Sequence, residues 1–341
     1  MTTIYYDSSI HIEGTFAATI GFFDGVHLGH CYLLDQLRRV AAERHQQTMV
    51  ITFDQHPRQT LQSEWQPMLL STFAEKQALL ATTGIDVLLV LRFNRAMAAL
   101  SAHDFMRSVL SEQLSVKTLL TGYDNRFGHD RVQGFDDYAA FGRELNIEVL
   151  LAKPLPLFNA QYSTPQRPNS PTPNTAPVSS SLVRRLLQAG DVAEAAHCLG
   201  RPYTLTGQVV HGQQIGRRLG FPTANLCLTD PCKLIPKAGV YAVKATTALP
   251  SPVGGDLQSF GGDLQSPSLP PKLALMNIGT RPTFDGHEQT LEVHLLDFSG
   301  DLYGQQLTVS FMARIRDEQH FDSPEALARQ MALDRDAVRR L

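Results

Sequence analysis

The first half of the chain alternates between short apolar runs and longer amphipathic stretches. The apolar run over 17–22 reads as a buried strand. GHCYLLDQLRRVAAERHQ (29–46) follows, with Leu33, Leu34, Leu37, Val40 and Ala41 at helical spacing. MVITF (49–53), VLLVLRF (87–93), KTLLTGYD (117–124) and IEVLLA (147–152) are further strands. Between them, FAEKQALLATTG (73–84) reads as a helix ended by Gly84. SAHDFMRSVLSEQL (101–114) reads as a helix capped by Ser101, with Asp104 three residues on. Strands alternating with helices imply a parallel sheet covered on both faces. Ligands of such sheets bind at the carboxyl ends of the strands.

The second half changes rhythm. TLTGQVVHG (204–212), GVYAVKAT (239–246), KLALMNIG (272–279), LEVHLLDF (291–298) and QLTVSFMARIR (306–316) are strand-like and joined by Gly/Pro turns. They predict an antiparallel sheet closed as a small barrel. One helix ends the chain over 323–341, with Ser323 as cap and Pro324 in the first turn. The fold class is therefore α/β plus all-β, with domains expected at 1–190 and 200–341. The Pro/Ser/Thr/Asn-rich stretch 159–178 reads as a linker. GGDLQS occurs twice within 248–271, which reads as a hairpin-loop insertion, since two short copies cannot build a solenoid.

Composition narrows the function classes. A length of 341 residues suits two domains, and 43% hydrophobic residues can fill two cores. A net charge of -3 provides no general attraction for nucleic acid or anionic membranes, so neither is expected as a partner. The N-terminus lacks a basic start followed by an apolar core, and no run reaches transmembrane length; a cytoplasmic location is expected. Four scattered cysteines (Cys31, Cys198, Cys227, Cys232) fit free thiols in a reducing compartment.

GFFDGVHLGH (21–30) sits where the first strand of that pattern turns into a helix. Gly25 suits the turn, and Gly29 would let a ligand approach the backbone. The helix N-terminus suits a phosphate, and His27 and His30 can stabilise charge developing on a phosphoryl group in transit. Read alone, H-x-G-H also allows a zinc pair or two surface histidines, although no third ligand lies close in sequence. In VSSSLVRR (178–185), Ser179 to Ser181 can cap a helix and can equally meet phosphate oxygens, as can Arg184.

In its strand–turn–helix setting this stretch resembles the H-x-G-H nucleotidylyltransferases. TFDQHP (52–57), GYDNRFGHDRVQG (122–134) and VSSSLVRRLLQAGDV (178–192), in this order, resemble the adenylyltransferase module of the bacterial bifunctional riboflavin kinase/FAD synthetases. The resemblance implies a Rossmann-like nucleotidylyltransferase domain. His27 and His30 are then catalytic, and Gly21, Phe23, Gly25, Asp124, Ser180 and Arg184 bind nucleotide. Asn125 stands where the family commonly has an aromatic, and Leu182 where it often has an arginine.

GQVVHGQQIGRRLGFPTANL (207–226) is punctuated by glycines that suit a loop around a nucleotide. Thr223 and Asn225 in PTAN offer neutral oxygens two residues apart, of the kind magnesium takes beside substrate phosphates. With PKAGVYAV (236–243), MNIGTRPTF (276–284), LEVHLLDF (291–298) and DLYG (301–304), the chain from about residue 200 resembles riboflavin kinase. The resemblance implies Glu292 as catalytic base, Thr223 and Asn225 at Mg2+, and Gly212, Gly216 and Arg217 at the nucleotide. His294, two residues from Glu292, can orient that base, though a packed or solvated histidine is the simpler reading. Asp297, Arg314 and Arg316 read as ion-pair members.

The implied function is phosphorylation of riboflavin to FMN with Mg-ATP, then adenylation of FMN to FAD with release of pyrophosphate. Kinase activity alone, with a weakened N-terminal domain, is the alternative. A flavin sensor without turnover would have no need of Glu292.

Overall fold

The computed structural model describes all residues except 57–58, 60–67, 123–124, 130–131, 156–176, 213–215, 217–219, 248–269 and 284–285, and the side chains of 281–283 and 286–288. Asp124, Arg217, most of the 159–178 stretch and nearly all of the 248–271 stretch therefore lie outside the described residues. The chain divides into two compact units, Met1–Ser180 and Ser181–Leu341.

The first unit is built on a six-stranded sheet in the order β1-β4-β3-β2-β5-β6, every pair parallel. The strands are β1 (Thr2–Tyr5), β2 (Phe16–Ile20), β3 (Gln47–Phe53), β4 (Val87–Leu91), β5 (Val116–Thr121) and β6 (Glu148–Leu151). Helices α1 (Leu28–Glu43), α2 (Phe73–Ala81), α3 (Arg95–Ala98), α4 (Ala102–Asp104) and α5 (Phe135–Leu145) accompany them. Period two sorts β2: Phe16, Ala18 and Ile20 join one core with Phe105, Val109 and Tyr138, while Ala17 joins the other with Leu34, Leu37 and Leu80. Both faces are thus covered, which is why the strands read as continuous apolar runs.

Two expected boundaries shift. The strand expected over 17–22 stops at Ile20, because the backbone turns left-handed at Phe23. The helix expected over 101–114 is α4, capped by Ser101, followed by a π-helix over Phe105–Gln113. Strand β1 and helices α3 and α5 are additions to the expected elements.

The second unit begins with α6 (Ser180–Ala189), whose first residue still belongs to the first unit, and α7 (Val192–Leu199). Strands β7 (Thr204–Val210), β8 (Ala224–Leu228), β9 (Gly239–Thr247), β10 (Lys272–Thr283), β11 (Gly286–Leu295) and β12 (Gln306–Arg316) close an antiparallel barrel in the order β10-β11-β8-β7-β12-β9. Strand β8, absent from the expected elements, is the short piece that carries Asn225. The split falls at Ser180/Ser181 rather than after residue 190, because α6 is held within the second unit. Lys237 N–H donates to the Leu187 carbonyl at 3.0 Å, and Gly190 packs against the Arg314 side chain.

Helix α8 (Pro324–Val338), capped by Ser323, ends the chain. It packs Val338 onto Val240, Ala242 and Leu275 of β9 and β10. On the opposite face of β9, Tyr241 meets Phe311 edge-on at 5.2 Å.

Candidate active sites

The first site lies where the strand order reverses. Strands β3 and β4 follow on one side of β2, and β5 lies on the other, so the crevice between the carboxyl ends of β2 and β5 is the topological switch point. Asn125, beyond β5, donates its side-chain N–H to the carbonyl of Ile20, the last residue of β2. Asn125 thus ties the two walls of the crevice together.

The turn after β2 is strained. Phe23, Gly25 and Val26 have φ of 54°, 76° and 38°, and the left-handed region is costly for a β-branched residue. The turn is held by Asp24, whose buried carboxylate accepts from Leu70 N–H at 2.9 Å and Ser71 N–H at 3.1 Å. Gly25 N–H donates to Ser71 Oγ at 3.0 Å. His27 then caps α1: its Nδ1 accepts from His30 N–H at 3.3 Å, which leaves the proton of a neutral ring on Nε2. The two imidazoles stack at 3.7 Å and 17°. Burial, with the neighbouring charges of His27 and Lys76, holds His30 well below the usual imidazole pKa, and its buried Nδ1 makes no hydrogen bond among the described residues.

Several expected roles are redistributed. The Phe23 ring is buried against Gly21 and His30, so only its backbone is left for a nucleotide. Gly29 is needed for packing rather than ligand approach. A Cβ there would lie 3.0 Å from the Val178 carbonyl and 3.1 Å from the His27 ring. Ser180 donates its hydroxyl to the Asp24 carbonyl at 2.9 Å and so ties the segment after the 159–178 stretch to the turn. Arg184 and the buried Leu182 lie on α6 in the second unit.

In the second unit, β11 pairs with β8 so that Glu292 faces Asn225 across the ladder. Thr223, just ahead of β8, donates its hydroxyl to Glu292 Oε2 at 3.5 Å. All three residues line a cavity of about 320 Å³, together with Asn277 of β10 and Leu327 and Met331 of α8. Asn225 leans on Gly212, where a Cβ would lie 2.1 Å from the amide nitrogen, so the loop glycine makes room for the amide. Gly216 also lines the cavity and accepts from Phe221 N–H at 2.8 Å. His294 is buried and donates from Nδ1 to the Pro222 carbonyl at 2.8 Å, which holds the PTAN segment against β11.

Arg314 pairs with Asp317 at 2.8 Å and Asp297 with Arg339 at 2.7 Å, both at the surface. Arg316 makes a buried fork to Asp334 of α8, with contacts from 2.7 to 3.1 Å.

Two features have no counterpart in the motifs. Lys76 is buried on α2 beneath the first turn, and Asp334 sits under the cavity. Lys76 has a weak signal in sequence: it occupies the core face between Phe73 and Leu80, where a cation needs partners. Among the described residues no group of three or more His, Cys, Asp or Glu is placed to hold a metal ion.

Comparison with known proteins finds two family matches along the chain. Residues 10–165 match the family model for FAD synthetase, and residues 199–341 match that for riboflavin kinase. The bifunctional riboflavin kinase/FMN adenylyltransferase of Escherichia coli strain K12 is 35% identical over 316 residues, 93% of this chain and 89% of its own length. The Pseudomonas fluorescens protein of the same name is 38% identical over 325 residues, 95% and 92% of the two chains. A crystal structure from Streptococcus pneumoniae, of a protein named as a macrolide-efflux protein, superposes with a TM-score of 0.80 at 27% identity, covering 100% of both chains. The described residues of the present chain include no helix long and apolar enough to cross a membrane.

Proposed function

The chain belongs to the bifunctional riboflavin kinase/FMN adenylyltransferase family, and we propose that its barrel unit makes FMN at Glu292 while its parallel-sheet unit makes FAD at the His27–His30 turn. Both activities follow from the family; the division between units and the residues are our assignment, with the adenylyltransferase in the first unit, Met1–Ser180, and the kinase in the second, Ser181–Leu341. The observation that carries it is the meeting of Thr223, Asn225 and Glu292 at one cavity, from segments far apart in sequence.

In the kinase, the apolar wall of that cavity takes the flavin ring. Glu292 removes the proton from the riboflavin 5′-hydroxyl as its oxygen attacks the γ-phosphorus of ATP, and ADP leaves. The oxygens of Thr223 and Asn225 beside a carboxylate are a donor set that fits Mg2+, and these two residues would hold it. When bound, the ion neutralises phosphate charge. Gly212 and Gly216 lie against the same two side chains; a nucleotide contact by Arg217 is what the resemblance to riboflavin kinase implies.

In the adenylyltransferase, an FMN phosphate oxygen attacks the α-phosphorus of ATP and pyrophosphate leaves. No protein nucleophile is needed. His27 and His30 donate to the phosphoryl oxygens as charge builds. Backbone N–H groups of the turn from Gly21 to Gly25 supply further nucleotide contacts, with Ser180 holding its segment against that turn; nucleotide binding by Asp124 and Arg184 is what the family resemblance implies. Four free cysteines support a reducing, cytoplasmic setting.

The test is incubation of purified protein with riboflavin and Mg-ATP, with riboflavin, FMN and FAD separated by chromatography. FMN followed by FAD is expected. With riboflavin and FMN supplied in separate reactions, Glu292→Gln blocking only riboflavin phosphorylation and His30→Ala only FMN adenylylation assigns the units; loss of both reactions in either variant overturns the two-site division.

A further inference from the structure

Lys76 lies beneath the first site with its ammonium fully used. Its Nζ donates to the carbonyls of Phe53 at 2.8 Å and Phe22 at 3.1 Å, and to Thr52 Oγ1 at 3.3 Å. The ammonium also rests over the Phe22 ring, 4.2 Å from its centroid. Three acceptors match three N–H donors, and they come from two different loops: the turn after β2 and the end of β3. The side chain is 3% exposed, so water would not readily replace these donors if they were removed.

The orientation of one peptide follows. In a trans peptide the carbonyl and the next N–H point in opposite directions. The Phe22 carbonyl is drawn inward by Lys76 and by the Thr52 hydroxyl, which donates to it at 3.2 Å. The Phe23 N–H therefore points away from the ammonium, and it has no acceptor among the described residues. A donor fixed in a strained turn at the switch point is the arrangement that stabilises a charged phosphoryl group without reorganisation.

We infer that Lys76 is a positioning residue for adenylyl transfer, holding the Phe22–Phe23 peptide so that its N–H meets the nucleotide phosphate. The inference rests on the assignment of that reaction to the first unit. Lys76 is faced by Asp24 from the turn, Asp54 beyond β3 and His30 from α1. Burial lowers its pKa to about 8, against the opposing pull of Asp24 and Asp54. The three-donor ammonium is thus present below that pH and lost above it, when a neutral amine has one N–H fewer to hold the three acceptors.

The test uses full-length protein and FMN adenylylation measured from about pH 6.5 to about pH 9.5, either side of the lysine's titration. Lys76→Met should lower kcat by about 100-fold, the scale of one lost oxyanion donor, and leave riboflavin phosphorylation unchanged. Wild-type adenylylation should fall as pH rises through about 8. Lys76→Arg, which keeps donors and a permanent charge, should retain activity and lose that alkaline limb. A Lys76→Met enzyme close to wild type overturns the inference, as does a wild-type profile flat through the alkaline range; the latter needs no variant to fold. His30→Ala runs alongside: if it leaves FAD synthesis intact, the assignment of the site fails, whereas its loss beside an active Lys76→Met removes only the role of Lys76.

Discussion

Thr223 and Glu292 meet at the mouth of the barrel, hydroxyl to carboxylate at 3.5 Å, although 69 residues separate them in the chain. The contact is long for a hydrogen bond, and it sets the carboxylate beside the hydroxyl on the wall of the cavity. Glu292→Gln keeps the shape and the contact and removes the base. FMN formation should fall by about 100-fold or more. Supplied FMN should still be converted to FAD, which chromatography of the two reactions separately will check.

His30 carries a pH prediction with a defined sign. Its folded pKa lies well below the ordinary value of 6.5, mainly through burial. As pH falls, the unfolded chain therefore takes up a proton that the folded chain resists. The stabilisation is complete above about pH 6.5 and is lost as pH drops toward the folded value. Thermal unfolding of the first unit should be more acid-sensitive in wild type than in His30→Ala. The same variant should lose FAD synthesis at neutral pH, where the wild-type imidazole is neutral and able to donate.

How much of this was legible in the sequence depends on the range of the interaction. Leu34 and Leu37 on α1, and the alternation of Phe16 to Ile20 on β2, are local patterns, and they read correctly as a helix and a buried strand. His27 and His30 were visible because their spacing and the strand–turn–helix setting lie within ten residues. The π-helix was not visible: its apolar residues serve an α-helix equally well, and only the packing of Phe105 with Phe127 and Tyr138 reveals which turn it makes. Gly29 was misread because the group that fills its space, the Val178 carbonyl, arrives from far along the chain. The same holds for Lys76 and Asp334, whose partners belong to other elements.

The Arg316–Asp334 fork joins β12 to α8 under the cavity, with Asp334 only 4% exposed and also accepting from Gln330 at 2.9 Å. Removing one partner leaves a buried charge without its counter-ion. Asp334→Ala should destabilise the second unit by about 3 kcal/mol, read from denaturant unfolding. The joint change of Arg316→Met and Asp334→Leu should cost less than Asp334→Ala alone, because no charge is left stranded. Since α8 lines the cavity through Leu327 and Met331, Asp334→Ala should also raise the KM for riboflavin while FMN adenylylation is unaffected.

Strands β9 and β10 allow a prediction about the 248–271 insertion without reference to its conformation. They pair antiparallel with Ala245 opposite Lys272, so the barrel is already closed where the insertion begins and ends. Glu292, Thr223 and Asn225 lie on or beside β11 and β8, and none is on this connection. Deleting 252–268 leaves seven of the twenty-four residues of the connection from 248 to 271, enough to bridge two adjacent antiparallel strands. Loop closure grows only with the logarithm of length, so the shortened barrel should be more stable by about 1 kcal/mol. Riboflavin phosphorylation should stay within about twofold of wild type, since no cavity residue moves in register. A deletion variant that unfolds at higher denaturant with unchanged kinase activity fits a passive insertion. Loss of FMN formation in a variant that still unfolds cooperatively would instead place part of the riboflavin or ATP site on the deleted segment.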